Sequence, residues 1–304
     1  MSLLIVAYLF LGGAGSGAFV VLAYLDVRYA DALGPRLAAR GAASASAGIV
    51  EKRHFALLLK RGYAAAFATL ALGALCLLAD VGRPEAAYLL FTRPTWSYIS
   101  VGTFSLSLCA LCAFVVAVIG NFALPAAAKR VKPIALAMGF VAALFVMTYT
   151  GVFLQSMNAV ALWQSPLLVI LFVLSALSTG VAEVFACSGG LSLRRAGKSV
   201  RQRLARLDLA IIVLELAVCA LCLAAVSGTE LGRQSTLRLL EGDYAALFVG
   251  GFAVCGLLAP GTLDTAAATR RCGEGVDLAI ACLVLIGGFC LRASLVGAGI
   301  HTSV

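Results

Sequence analysis

The chain has 304 residues, of which 62% are hydrophobic and only 12% charged, against roughly 25% charged in an ordinary soluble domain. A mean hydropathy of +1.03 excludes a water-soluble globule, because a chain of this length needs a polar surface that its composition does not supply. Lipid is the expected solvent. The net charge of +9 on so apolar a chain reads as topology signals at helix ends and argues against nucleic acid. Two histidines are too few for the paired intramembrane imidazoles of b-type haems, so no haem is expected. Cys109 and Cys112, and again Cys219 and Cys222, form a repeated C-A-L-C. No His, Asp or further close Cys completes four ligands beside either pair, so they read as small apolar filler, with no metal and no iron-sulfur cluster in this chain.

In chain order, eight apolar stretches lie near residues 3–25, 62–79, 99–121, 134–154, 166–187, 209–227, 244–263 and 278–299. Each is close to the ~20 residues that a helix rising 1.5 Å per residue needs to cross a ~30 Å hydrocarbon layer. They are continuously apolar rather than alternating, which predicts an all-α integral membrane protein, a bundle of eight transmembrane helices forming one domain over 1–304. No Lys or Arg precedes the first stretch, and it is too long for a signal-peptide core, so it is expected to be retained. Its Gly12-Gly13-Ala14-Gly15-Ser16-Gly17 run lacks the preceding strand of a dinucleotide loop. Gly13 and Gly17 instead make a small-xxx-small face that brings a neighbouring helix, or a flat ligand, close to the backbone.

Lys and Arg fix the expected orientation. Arg28, Arg36, Arg40, Lys52, Arg53, Lys60 and Arg61 lie in the first connection; Lys129, Arg130 and Lys132 in the third; Arg194, Arg195, Lys198, Arg201, Arg203 and Arg206 in the fifth; Arg270 and Arg271 in the seventh. Only Arg83, Arg93, Arg233 and Arg238 fall on the other side. The odd-numbered connections are therefore expected in the cytoplasm and both termini outside it. The first connection, 26–61, carries a small-residue tract from Gly41 to Gly48 and is either a flexible linker or an interfacial helix.

The candidate functional residues concentrate toward the outer end. The second stretch runs into Asp80-Val81-Gly82-Arg83-Pro84, where a carboxylate and a guanidinium can pair at the interface. In the fourth, Tyr149 precedes Gln155 by six residues, or ~9 Å of helix, and Tyr8 in the first is at similar depth. A phenol at that level is either an aromatic-belt anchor or a hydrogen-bond donor to a ligand carbonyl. Ionisable groups within spans cost ~2.5–3.5 kcal/mol each on insertion scales, which singles out four: Arg292 in the outer part of the last span, and Glu183, Asp208 and Glu215 in the inner halves of the fifth and sixth. Asp208 and Glu215, seven apart, share a helix face. A basic group above and three carboxylates below suggest a ligand site with a proton entry beneath it.

Taken together, Leu9-Phe10-Leu11-Gly12-Gly13, Asp80-Val81-Gly82-Arg83-Pro84 with Thr92-Arg93-Pro94, Tyr149-Thr150-Gly151-Val152 leading through Trp163 to Leu174-Ser175-Ala176-Leu177, and Gly287-Gly288-Phe289-Cys290-Leu291-Arg292 resemble the NrfD family, that of the polysulfide-reductase membrane subunit. The resemblance covers nearly the whole chain. It implies a quinone-reactive membrane subunit of the bacterial cytoplasmic membrane, without a cofactor of its own. Its implied partners are an extracytoplasmic ferredoxin-like four-cluster iron-sulfur subunit and a molybdopterin or cytochrome catalytic subunit. On this reading menaquinol is the bound substrate, its site drawn from Tyr8, Asp80, Arg83, Tyr149, Gln155 and Arg292, with Glu183, Asp208 and Glu215 as a proton path. Two other readings stand beside it: a secondary transporter using the intramembrane charges, and a passive anchor similar to the dimethyl-sulfoxide-reductase anchor subunit.

Overall fold

The computed structural model describes residues 3–38, 42–80, 98–122, 125, 130–157, 160–188, 198–263 and 274–299. Arg83, Pro84, Thr92, Arg93 and much of the basic connecting sequence lie outside them. The elements are α1 (Leu3–Ala38), α2 (Ala42–Asp80), α3 (Tyr98–Asn121), α4 (Lys132–Gln155), a 3-10 turn (Ala161–Trp163), α5 (Leu167–Ser188), α6 (Lys198–Val226), α7 (Glu230–Leu240), α8 (Ala246–Leu258) and α9 (Glu274–Gly297). Eight of these helices are long and apolar enough to cross a membrane, so the protein is a multi-pass membrane bundle.

The helices extend further than hydropathy alone indicates. In the first connection the chain is neither a flexible linker nor a separate interfacial helix over the described residues, because α1 continues to Ala38 and α2 starts at Ala42. The tract from Ala42 to Ala47 is mostly alanine and serine, and alanine has the highest intrinsic helix propensity. Likewise α6 begins at Lys198, well before its apolar stretch. Between α6 and α8 lies the amphipathic helix α7, shorter than a span. Thr229 caps it by accepting a 3.2 Å hydrogen bond from the Gly232 amide, and Glu230 and Arg238 stand at the ends that the helix dipole favours for each charge.

Lipid tails are as apolar as leucine, so helices in a bilayer associate through close packing and interhelical hydrogen bonds. α1 and α5 are the interior helices, with 67% of each spanning window buried against 28% for α2, α6 and α8. Their contact is made by backbone. A Cβ added to Gly17 would strike the Ala176 carbonyl oxygen, and one on Gly180 would strike the Gly17 backbone. Trp163, buried just before α5 begins, donates its indole N–H to the Leu295 carbonyl at 2.9 Å and so fixes the end of α9. Hydroxyls that face apolar neighbours turn back on their own helix. Ser16 donates to Gly12 O at 2.6 Å, Thr150 to Met147 O at 2.7 Å and Thr179 to Ser175 O at 2.7 Å, which satisfies them without a partner helix.

The seventh apolar stretch departs from expectation in form. α8 is a π-helix, with the Ala259 amide bonded five residues back to Val254 O. Such wide turns are rare and cluster at functional positions. Close approach to α9 goes with it, since a Cβ on Gly251 would lie 2.6 Å from Cys290 Sγ and one on Gly256 would lie 2.6 Å from the Gly287 Cα.

Because the Gly17 site has no room beside the α5 backbone, Gly17→Ala is expected to cost about 1–3 kcal/mol by overpacking. Gly275→Ala, where nothing stands within 4 Å of the added methyl, is expected to be neutral. Thermal unfolding of the two variants in lipid nanodiscs checks this, and equal midpoints would remove the α1–α5 contact from its central role.

Candidate functional site

Two polar clusters flank α1 toward the end of the bundle where that helix begins. On one side, the buried Tyr8 and Tyr149 side chains stand beside each other, with their hydroxyls close enough to interact. The Tyr149 ring lies flat against the α3 backbone at Gly102, where any Cβ would collide with it, and stacks at a tilt on Phe153 with centroids 5.9 Å apart. A hydroxyl pair of this kind uses at most one O–H internally, which leaves an O–H to donate elsewhere. Gln155, six residues beyond Tyr149, donates to Gln164 O at 3.4 Å. Asp80 is the last residue of α2 and half-buried; the guanidinium expected to pair with it, Arg83, is outside the described residues.

On the other side of α1 sits Arg292, fully buried. One guanidinium nitrogen, Nη1, donates to Ser175 Oγ at 3.2 Å and to Gly288 O at 3.0 Å. The guanidinium carbon lies 5.8 Å from the Phe10 centroid and 5.5 Å from that of Phe172. Gly13 makes the space, because a Cβ there would stand 2.6 Å from Arg292 Nη2. The small-xxx-small face is thus divided: Gly17 admits a helix and Gly13 admits a cation. Glu215 of α6 lies near the same guanidinium and beside Ser175, whose hydroxyl accepts from Arg292. A desolvated cation over aromatic faces gains ~2 kcal/mol, and hydrogen bonds to a charged group contribute about 1.5–3 kcal/mol each. Together these offset the insertion cost of one arginine. Arg292 Nε and Nη2 have no hydrogen-bond partner among the described residues.

Glu215 borders a small cavity of about 10 Å³, close to the minimum that holds one water. Ser175, Ser178, Thr179 and Glu215 form its polar side, and Phe252 and Gly256 of the π-helix form the other. Ser178 then donates to Asp208 Oδ1 at 3.4 Å. Asp208 and Glu215 are thereby connected through α5 hydroxyls. Glu183 is not in this line. It faces α2, where Thr69 donates to its Oε1 at 2.5 Å, and its Oε2 has no partner among the described residues.

Sequence reasoning passed over Ser175, Ser178, Thr179 and Thr69, although hydroxyls at 175, 178 and 179 with a carboxyl at 183 trace a helical stripe down α5. It also counted Lys132 and Arg201 only as topology signals. Lys132 pairs with buried Asp26 at 2.6 Å, and Tyr63 donates to that carboxylate at 3.5 Å. Arg201 binds Asp277 through two nitrogens, Nε at 3.2 Å and Nη2 at 2.5 Å, across the α6–α9 interface. Removing one partner of such a buried pair leaves the other charge uncompensated, at about 3–5 kcal/mol. Asp277→Asn is therefore expected to lower the unfolding midpoint sharply and the joint change Asp277→Leu with Arg201→Leu to recover most of it. A double-mutant cycle by thermal melting measures the coupling, and additive effects would remove this clamp.

No curated protein matches the chain. The sequence model described as Polysulphide reductase, NrfD, matches residues 1–304. A bundle of eight spans with polar groups held between its inner helices, matched to one family over its whole length, leaves a single assignment: the chain belongs to the NrfD family, whose members are membrane subunits of respiratory oxidoreductase complexes that work with partner redox subunits.

Proposed function

We propose that this chain is the quinol-reactive subunit of its complex in a bacterial cytoplasmic membrane, exchanging electrons between menaquinol and an extracytoplasmic ferredoxin-like iron-sulfur subunit, with a molybdopterin or cytochrome subunit beyond. The observation that carries the reading is the Tyr8–Tyr149 pair. It places phenol O–H donors inside an apolar wall, which is what a lipid-borne carbonyl or hydroxyl oxygen requires and what an ordinary interfacial anchor does not supply. The positive-inside rule supports placing that pair toward the outer surface. Bound menaquinol would supply two electrons and two protons. Tyr149 would orient one ring oxygen, and Arg83, steered by Asp80, would stabilise negative charge developing there. Losing one neutral hydrogen bond costs ~1 kcal/mol, so Tyr149→Phe is expected to weaken a menaquinol analogue about fivefold. Titrating the purified chain measures this, alongside Tyr8→Phe and Arg83→Gln. Undiminished binding in all three would break the assignment.

The second half of the reading concerns protons. Asp208, Ser178, the single-water cavity, Glu215 and Ser175 form a graded line that ends at Arg292. Gly12 touches Tyr8 while the adjacent Gly13 touches Arg292, so α1 is the common wall of the line and the phenol pair. This arrangement supports a route from the cytoplasmic side toward the quinol, with Arg292 holding a fixed charge at its head. Glu183, on the α2 side, is a separate polar site on this reading. Glu215→Gln keeps the volume and removes the titratable group. In liposomes carrying the assembled complex it is expected to abolish proton uptake from the inner side while menaquinol-analogue affinity stays unchanged. An unaltered stoichiometry and rate would dismiss the route.

A further inference from the structure

The two-helix pair α3–α4 encloses a feature that the phenol pair alone does not explain. A groove of about 980 Å³ runs between these helices within their spans, at the upper end of the ~300–1,000 Å³ typical of small-molecule sites. Its walls are long side chains that stand open to the surroundings, Phe104, Leu108, Met138, Val141 and Phe145, and Ala142 is part of its floor. The Ser105 hydroxyl on its lining donates to Val101 O at 2.8 Å and so asks for no partner from an occupant.

The register of α3 against α4 places the groove relative to Tyr149. Gly102 faces the Tyr149 ring, and Gly139 faces Cys112, so the helices run antiparallel with Ser100 and Val101 beside the Tyr149 level. Ala142, Phe145 and Tyr149 follow at i, i+3 and i+7 on one helical stripe. The upper end of the groove, at Ser100 and Val101, therefore lies at the level of the Tyr149 ring, one residue from its contact with Gly102.

Its shape selects the occupant. Transmembrane helices seat against one another on small residues, whereas here the walls are bulky and splayed and only the floor is small, which suits a thin flexible chain. A phospholipid would bring its phosphate to the upper end, where the groove's lining, among the described residues, offers no cationic side chain to receive it. We propose that the groove seats the prenyl tail of the quinol whose ring lies at Tyr149, and that the quinol enters sideways from the bilayer between α3 and α4. This rests on the quinol reading above.

Two measurements on the full chain in nanodiscs test it. A naphthoquinone with a long prenyl tail ending in a diazirine is expected to label Phe104, Leu108, Met138 or Val141, with labelling displaced by unlabelled long-tailed quinone. In Ala142→Leu, which fills the floor, its Kd is expected to rise about tenfold, as when two methylenes lose their burial, while that of a tailless naphthoquinone is unchanged. Labels confined to other helices, or equal affinity in Ala142→Leu and wild type with tailless binding intact, overturn the groove and leave the quinol reading standing. Labelling by a diazirine phosphatidylethanolamine that quinone does not displace assigns the groove to bilayer lipid and overturns the proposal. A wild-type chain that binds neither quinone overturns the quinol reading, and the groove with it.

Discussion

Hydrocarbon offers a hydroxyl, carboxylate or guanidinium no hydrogen-bond partner, so each polar side chain in the spans must be satisfied by its own helix or by another. That constraint organises this bundle. Where hydroxyls turn back on their own carbonyls, as at Ser16 and Thr150, helices pack closely without polar links. Where they reach across, as at Ser175, Ser178 and Thr69, they meet one of the few ionisable groups the bundle contains. Both situations require backbones to come near one another, and the glycines of α1 permit it. Gly17 lets α5 approach; Gly13, one turn away, lets a guanidinium stand between the two.

The charged groups divide into two kinds by what surrounds them. Asp26 with Lys132, and Asp277 with Arg201, are close-contact ion pairs at the end of the bundle where α1 leaves its span. Each ties two helices together at the point where the chain enters or leaves the lipid. Arg292 and Glu215 are different. Arg292 donates to a serine hydroxyl and makes no close ion pair with Glu215 among the described residues, both lie deep in the span, and two guanidinium nitrogens are left without partners among the described residues. A cavity the size of one water lies beside Glu215.

The π-helical backbone of α8 belongs to the same account. Its wide turns place Phe252 and Gly256 against the cavity while Gly251 and Gly256 lie close on α9. In a regular α-helix Gly251 and Gly256, five residues apart, would stand about 140° apart around the axis.

The class of fold, the eight crossings and the family were legible in the sequence, because lipid imposes a length and a continuous apolarity that composition reports directly, and because the quoted motifs occur together and in order. Intramembrane charges could be named for the same reason, since each is costly enough to be rare. What the sequence could not show was which of them meet. Tyr8 and Tyr149 are 141 positions apart and pair, while Glu183, expected in one path with Asp208 and Glu215, points to Thr69 instead. Helical periodicity places a residue on a face of its own helix but says nothing of which neighbour covers that face. The choice follows from how closely two backbones can approach, and that was decided at Gly13, Gly17 and Gly102 by the absence of a single carbon atom.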